Sequence, residues 1–186
     1  MRKNNLTTKI VRLAIFLALA IVLNIIESLI PLPFAIPGIR LGLANAMTLI
    51  VLYYYSPKEY VALGILRVFI VGLLRTGIGS IAFLLSLSGW LLSTIVSLII
   101  YFLTKSSIFG LSITSAIFHQ VGQITTAILI YQLPALVNYL PVLLITGAIS
   151  GGLVAYLCSV ILKLLNRIYR VKILTKEENI VEEKDQ

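Results

Sequence analysis

Between Ile10 and Leu165 the sequence is a succession of apolar runs, broken only at proline, glycine and scattered charge. A helix that spans a bilayer needs about 20 mostly apolar residues. Lipid offers the backbone no hydrogen-bond partner, so an apolar run of that length closes its own bonds as a helix. The breaks at "PLPFAIPG", "SPKE", "TKSS" and "LPALVNY" and the glycines near 77–79 divide the chain into six such runs. Their spans are roughly 10–30, 40–55, 59–76, 80–103, 107–132 and 141–165. The expected fold is all-α: a polytopic membrane protein of six transmembrane helices. It forms one domain over about 1–170, followed by a polar cytoplasmic tail over 171–186 that is expected to be solvated and frayed.

Composition agrees with that reading. Charged residues make up 12% of the 186 and hydrophobic residues 59%, whereas a soluble globular domain carries about 25% charged residues. The net charge of +8 invites a nucleic-acid reading, but its distribution argues against one. Arg2, Lys3, Lys9 and Arg12 lie before or at the start of the first apolar run. Lys163, Arg167, Arg170, Lys172, Lys176 and Lys184 lie at or after the end of the last. Positive charge flanking apolar runs orients a protein in the bilayer. With six crossings both termini fall on one side, and the positive-inside rule makes that side the cytoplasm. The first run is too long for a signal-peptide core and no small-residue cleavage site follows it, so it is expected to be retained as a helix.

Two helices carry stripes of small residues. Gly147, Gly151, Ala155 and Ser159 recur at i+4 in the sixth, and Ala82, Ser86, Gly89, Ser93 and Ser97 at i+3/i+4 in the fourth. Such stripes let helix backbones approach closely in lipid and are read as packing seams.

Ionisable groups at membrane depth are costly, and they mark function or an ion pair. They are Glu27 in the first helix, Arg40 at the start of the second, Arg67 and Arg75 in the third, and His119 in the fifth. Asn24, Asn45 and Gln123 are their polar companions. Arg67 and His119 fall near mid-membrane, while Glu27, Arg40 and Arg75 lie toward the outer face. That distribution points to a polar cavity open to the outside. In the fifth helix Ser115, His119, Gly122, Gln123 and Thr126 share a face by i+3/i+4 spacing. Gln120, about 100° from His119, points toward a neighbouring helix. Three arginines against one glutamate leave an excess of guanidinium, which suits a carboxylate or phosphate. Two alternatives stand beside this. Arg40 and Arg75 can snorkel to headgroups, and Arg67 can pair with Glu27.

Several chemistries are poorly supplied. There is no G-x-x-x-x-G-K-[ST] loop to cradle ATP, so ATP-driven work needs a partner. The first aspartate is Asp185, and diphosphate chemistry through Mg²⁺ draws on several carboxylates. One histidine, His119, and one cysteine, Cys158, leave no disulfide, no cluster for zinc or haem, and no expected cofactor. The chain is not expected to be an enzyme.

The segments "IPGIRLGLANAMTLIVLYY", "LGILRVFIVGLL", "FLLSLSGWLLS" and "FHQVGQ" together resemble the Gx transporter family, often labelled heptaprenyl diphosphate synthase component I. That family in turn looks like the S components of energy-coupling factor (ECF) transporters. Those are six-helix membrane proteins that bind a vitamin or similar molecule at the outer side and work with a shared transmembrane partner and two ATPases. The resemblance implies a multi-pass protein of a bacterial plasma membrane with an S-component-like bundle. S components dock on their partner through AxxxA in the first helix, which Ala14 and Ala18 match. The "PLPFAIPGIR" connection is similar in place to their gating loop.

Two functions follow. In the first, the chain is a substrate-binding subunit for uptake of a small polar or anionic molecule, energised by an ATPase complex. Asn24, Glu27, Asn45, Arg67, His119 and Gln123 would line the site, Arg40 and Arg75 would attract or gate, and Ala14 and Ala18 would meet the partner. In the second, it is a non-transporting accessory subunit for prenyl-lipid, quinone or flavin-linked electron-transfer enzymes. Proton-coupled transport through Glu27 and His119 is a third possibility, for which no inverted repeat is evident.

Overall fold

A computed structural model describes residues 2–29, 43–104 and 107–184, with side chains over 6–27, 44–104 and 107–165 and at Arg167. The described residues form six α-helices: α1 (Arg2–Leu29), α2 (Leu43–Tyr54), α3 (Pro57–Val71), α4 (Ile81–Leu103), α5 (Ile108–Tyr131) and α6 (Leu140–Lys184). The protein is all-α, as the apolar runs predict. Four helical stretches are long and apolar enough to cross a membrane: Leu6–Glu27, Ile81–Leu103, Ile108–Tyr131 and Pro134–Leu165. α2 has 12 residues and α3 has 15, so neither reaches bilayer thickness as an α-helix alone at 1.5 Å per residue.

Local chemistry explains the boundaries. α3 starts with Pro57 in its first turn, where a missing N–H costs nothing. It runs directly into a π-helical turn, Gly72–Thr76. That turn stops at Gly77, whose φ of 82° suits glycine and whose N–H donates to the Gly72 carbonyl at 2.7 Å. Ser80 caps α4 by accepting from the Phe83 N–H, and Ser107 caps α5 by accepting from the Gly110 N–H. A short 3-10 helix, Pro134–Tyr139, leads into α6. α6 does not stop where the polar tail begins. It continues as helix to Lys184, where a frayed end was expected.

The helices close a ring in which α4 packs on α5, α5 on α6, α6 on α2, α2 on α1, α1 on α3 and α3 on α4; α2 also touches α3. The small-residue stripes lie on these seams. A Cβ added at Gly151 of α6 would sit 2.7 Å from Ile113 Cα of α5, and one at Gly122 of α5 would sit 2.7 Å from the Ser88 carbonyl oxygen of α4. Two hydrogen bonds stitch the same seams. Ser112 Oγ donates to the Gly151 carbonyl at 2.7 Å, and Ser88 Oγ donates to the Gly122 carbonyl at 3.2 Å. In α4, Ser93 and Ser97 are buried but Ala82 is exposed, so that stripe turns from seam to surface at its start.

The ring is filled unequally. One end is plugged by an apolar core that includes Ala20, Leu49, Ile50, Leu52, Leu111, Val154 and Cys158. A smaller cluster, Val68, Phe83 and Trp90, joins α3 to α4. Toward the other end, where α1 finishes and α2 begins, polar side chains face inward instead. Outside, Leu91, Ile95 and Ile99 of α4 and Ile145, Ile149 and Leu153 of α6 lie exposed at i+4 intervals. That is an apolar perimeter suited to lipid.

Candidate functional site

A cavity of about 60 Å³ lies inside the ring and draws its walls from all six helices. At roughly 10–15 Å³ per water, it has room for about four or five water molecules, or a small polar ligand. α1 contributes Asn24 and Glu27, α2 Asn45, α3 Arg67, the π turn Arg75 and Thr76, and α5 His119. Six of the polar and charged residues singled out in the sequence are thus brought to one space, although they are scattered from position 24 to 119. Arg40 lies outside the described residues.

The positions are set by helical spacing. Asn24 and Glu27 are three apart near the end of α1 and share a face. Arg67 is held at the middle of α3 with 5% of its surface exposed, and Glu27 is equally buried. Arg67 Nη1 donates to Asn45 Oδ1 at 2.7 Å, tying α3 to α2 through a charge-assisted bond to a neutral amide. The amide leaves the guanidinium charge intact. Arg75, carried by the π turn, reaches the cavity edge and is exposed. Wide helical turns of this kind recur at functional sites because they re-aim side chains.

On α5 the cavity wall differs in one residue from the sequence reading. Gln123 is buried but does not line the cavity; Gln120 does. The reason is the height at which α4 closes on α5. A Cβ on Gly89 of α4 would lie 2.9 Å from Gln123 Cγ and 3.0 Å from His119 Cε1. Gly89 thus packs on α5 between His119 and Gln123, and of the two only His119 also lines the cavity. Gln120 meets α6, as expected: its Cγ would lie 3.3 Å from a Cβ at Gly147. It also opens onto the cavity. Ser112, Ala116 and Gln120 follow an i+4 row along this wall, which was the available signal for Gln120. Ser86 and Ser150, the former assigned only to packing and the latter not singled out, also line the space.

Away from the cavity, Ala14 and Ala18 are exposed on α1, next to exposed Val11, Ile15, Leu19 and Val22. At the far end of the ring Lys9 of α1 forms an ion pair with Glu59 of α3. Ser56 donates to the same carboxylate, and the Lys9 ammonium stands 6.0 Å over the Tyr55 ring.

Two guanidiniums, one carboxylate, one imidazole and several amides around a small space can recognise a charged or polar molecule through directed, charge-assisted hydrogen bonds. Among the described residues no group of three or more His, Cys, Asp and Glu is placed to hold a metal ion. No curated protein and no solved structure matches the chain. A family model described as heptaprenyl diphosphate synthase component I matches residues 16–161, which span every cavity-lining residue. The chain is a member of the heptaprenyl diphosphate synthase component I family.

Proposed function

We propose that the chain is a membrane-embedded substrate-binding subunit that takes up a small polar or anionic molecule with a partner ATPase complex. On this reading the bundle crosses the plasma membrane six times with both termini in the cytoplasm. The four long apolar helices are joined by α2 and by α3 with its π turn as shorter crossings. The observation that carries the reading is the cavity itself: Glu27, Arg67 and His119 are drawn from three helices into one small space, where lipid-facing positions were available for none of them at low cost. The exposed Ala14–Ala18 face supports a partner helix at α1, since small residues four apart allow close backbone approach.

The family description supports a second reading, in which the chain is an accessory component for a prenyl-lipid or electron-transfer enzyme. Its cavity then serves a partner's substrate. On either reading the covalent chemistry belongs to a partner and this chain is not the catalyst.

Native mass spectrometry of the complex extracted gently from its membrane separates the two. Co-extraction of a small polar molecule and ATPase subunits is expected, with the small molecule lost in the Arg67→Ala and His119→Ala variants. Prenyl or redox enzymes in place of ATPases would transfer the assignment to the accessory role. Retention of the bound molecule in both variants would sink the cavity as its site.

A further inference from the structure

We propose that the cavity selects a small zwitterion: one molecule that carries both an anionic group and an ammonium or comparable N–H donor. The inference rests on reading the cavity as a ligand site and narrows what that ligand is. A surplus of arginine alone suggests any small anion, but the walls are not uniformly cationic. Arg67 and Arg75 supply donors from the α3 side. From α1 come Glu27, one of the most buried ionisable groups described, and Asn24 one turn before it.

A carboxylate that is 5% exposed needs hydrogen-bond donors around it. It offers about four acceptor positions, so a contact inside the protein leaves capacity for a ligand N–H. The amides point the same way. Asn24 Oδ1 and Gln120 Oε1 are buried with no hydrogen-bond partner among the described residues, and both residues line the cavity. Buried acceptors without donors are costly, and a donor bound in the cavity that both residues line would meet that need. A simple anion would meet the arginines, be repelled by Glu27 and leave both amide oxygens unmet. A zwitterion answers both walls at once. Among the described residues, the two arginines and Glu27 sum to a formal charge of +1, which suits a ligand of net charge zero or −1. The space, with room for about four or five water molecules, suits a molecule the size of a small amino acid or aminoalkyl phosphate. A free solute and an ethanolamine-type lipid headgroup share this chemistry.

The test uses the full chain in phosphatidylglycerol nanodiscs, which carry no amine, and reads thermal stabilisation against probe concentration. The probes are glycine and phosphoethanolamine, with acetate, inorganic phosphate and ethanolamine as the separated halves. Each zwitterion is expected to bind at least about tenfold more tightly than its matching halves, the scale of one added hydrogen bond to a charged group. Glu27→Gln should reduce that preference to less than about twofold while anion binding persists or improves. Asn24→Leu should reduce it partially and covers the case in which Glu27→Gln fails to fold. Arg67→Gln should weaken zwitterion and anion alike. A parallel set of discs containing phosphatidylethanolamine separates the sources: stabilisation by that lipid, with no response to soluble probes, keeps the chemistry and assigns it to a headgroup. Equal binding of anions and zwitterions, a preference unchanged in Glu27→Gln, or no response to any probe or lipid would overturn the proposal. Anion binding that depends on Arg67 would leave the ligand-site reading standing even then. Binding indifferent to Arg67→Gln would remove that reading as well.

Discussion

α5 and α1 face each other across the cavity, and they are held in opposite ways. α5 is gripped on both flanks, by α4 at Gly89 and Gly122 and by α6 at Gly147 and Gly151, with backbone-to-backbone approaches that leave no room for a methyl group at Gly122 or Gly151. α1 is an edge: only 11% of its apolar window is buried, against 28% for α5. The α4–α5–α6 wall thus positions His119 and Gln120 on a closely packed slab, while Glu27 and Asn24 ride on a helix held mainly by α2, α3 and the Lys9–Glu59 pair. Of the long apolar helices, α1 is the one whose movement disturbs the fewest buried side chains, Ala20 of the core among them.

The sharpest way to break this comparison is to place a methyl group in the tight seam. Gly151→Ala puts a Cβ 2.7 Å from Ile113 Cα and 3.0 Å from the Ser112 carbonyl oxygen, and backbone cannot yield cheaply. A loss of about 2–3 kcal/mol is expected from overpacking, seen as a fall of several degrees in the melting temperature in detergent. The neighbouring Gly152 has nothing within 4 Å of an added Cβ. Gly152→Ala should therefore stabilise by about 0.5–1 kcal/mol through helix preference. Equal effects at the two positions would mean that α5 and α6 are not packed as described.

A smaller effect is expected at the bond that joins the cavity walls. Asn45→Leu removes the acceptor of Arg67 Nη1. Hydrogen bonds to charged groups contribute about 1.5–3 kcal/mol, but polar pairs inside membranes measure lower, at about 0.6 on average and up to about 1.7. A loss of about 1–2 kcal/mol in denaturation is the expected result. No loss would show that Arg67 is positioned by its other contacts.

This pair also marks where the sequence stops being legible. The four long helices were readable because their apolar runs reach bilayer length, whereas α2 and α3, at 12 and 15 residues, were readable only from the Pro, Gly and Ser at the breaks. The ionisable residues of the cavity were readable because Glu27, Arg67 and His119 have no cheap alternative in lipid. The partnership of Arg67 with Asn45, 22 positions away, depends on how α2 sits against α3, and no periodicity on either helix encodes that. The exchange of Gln123 for Gln120 has the same origin. Helical angle places Gln123 beside His119, but the height at which Gly89 closes over α5 is a property of two helices together. The Lys9–Glu59 pair likewise joins residues 50 positions apart.

That pair is a mild test of how α1 is held. Lys9 is 40% exposed and Glu59 19%, so solvent screens the interaction and about 0.2–1 kcal/mol is expected from it. Lys9→Glu alone should lower stability by that order, and the charge-exchanged double variant Lys9→Glu/Glu59→Lys should recover most of the loss. Raising the salt concentration should shrink the difference between wild type and Lys9→Glu. A deficit that the exchange does not repair would mean that the Tyr55 ring contact, rather than charge, fixes the start of α1.

The smallest effect on the fold is expected where α1 looks outward, and it is the most informative about function. Ala14 and Ala18 are exposed, and with Val11, Ile15 and Val22 they form an apolar strip left uncovered among the described residues. Ala14→Trp adds bulk to a face left exposed by the described residues, so the melting temperature of the isolated chain should move by less than the equivalent of about 0.5 kcal/mol. Lipid accepts the indole without penalty. A partner helix seated against a flat Ala–Ala surface does not, because close approach depends on small side chains. Pull-down of the tagged chain from its native membrane should then lose the partner subunits in Ala14→Trp and keep them in a substitution on another exposed face, such as Leu91→Trp. If both variants retain the same partners, α1 is an edge toward lipid alone, and its loose packing serves cavity opening without a docked subunit.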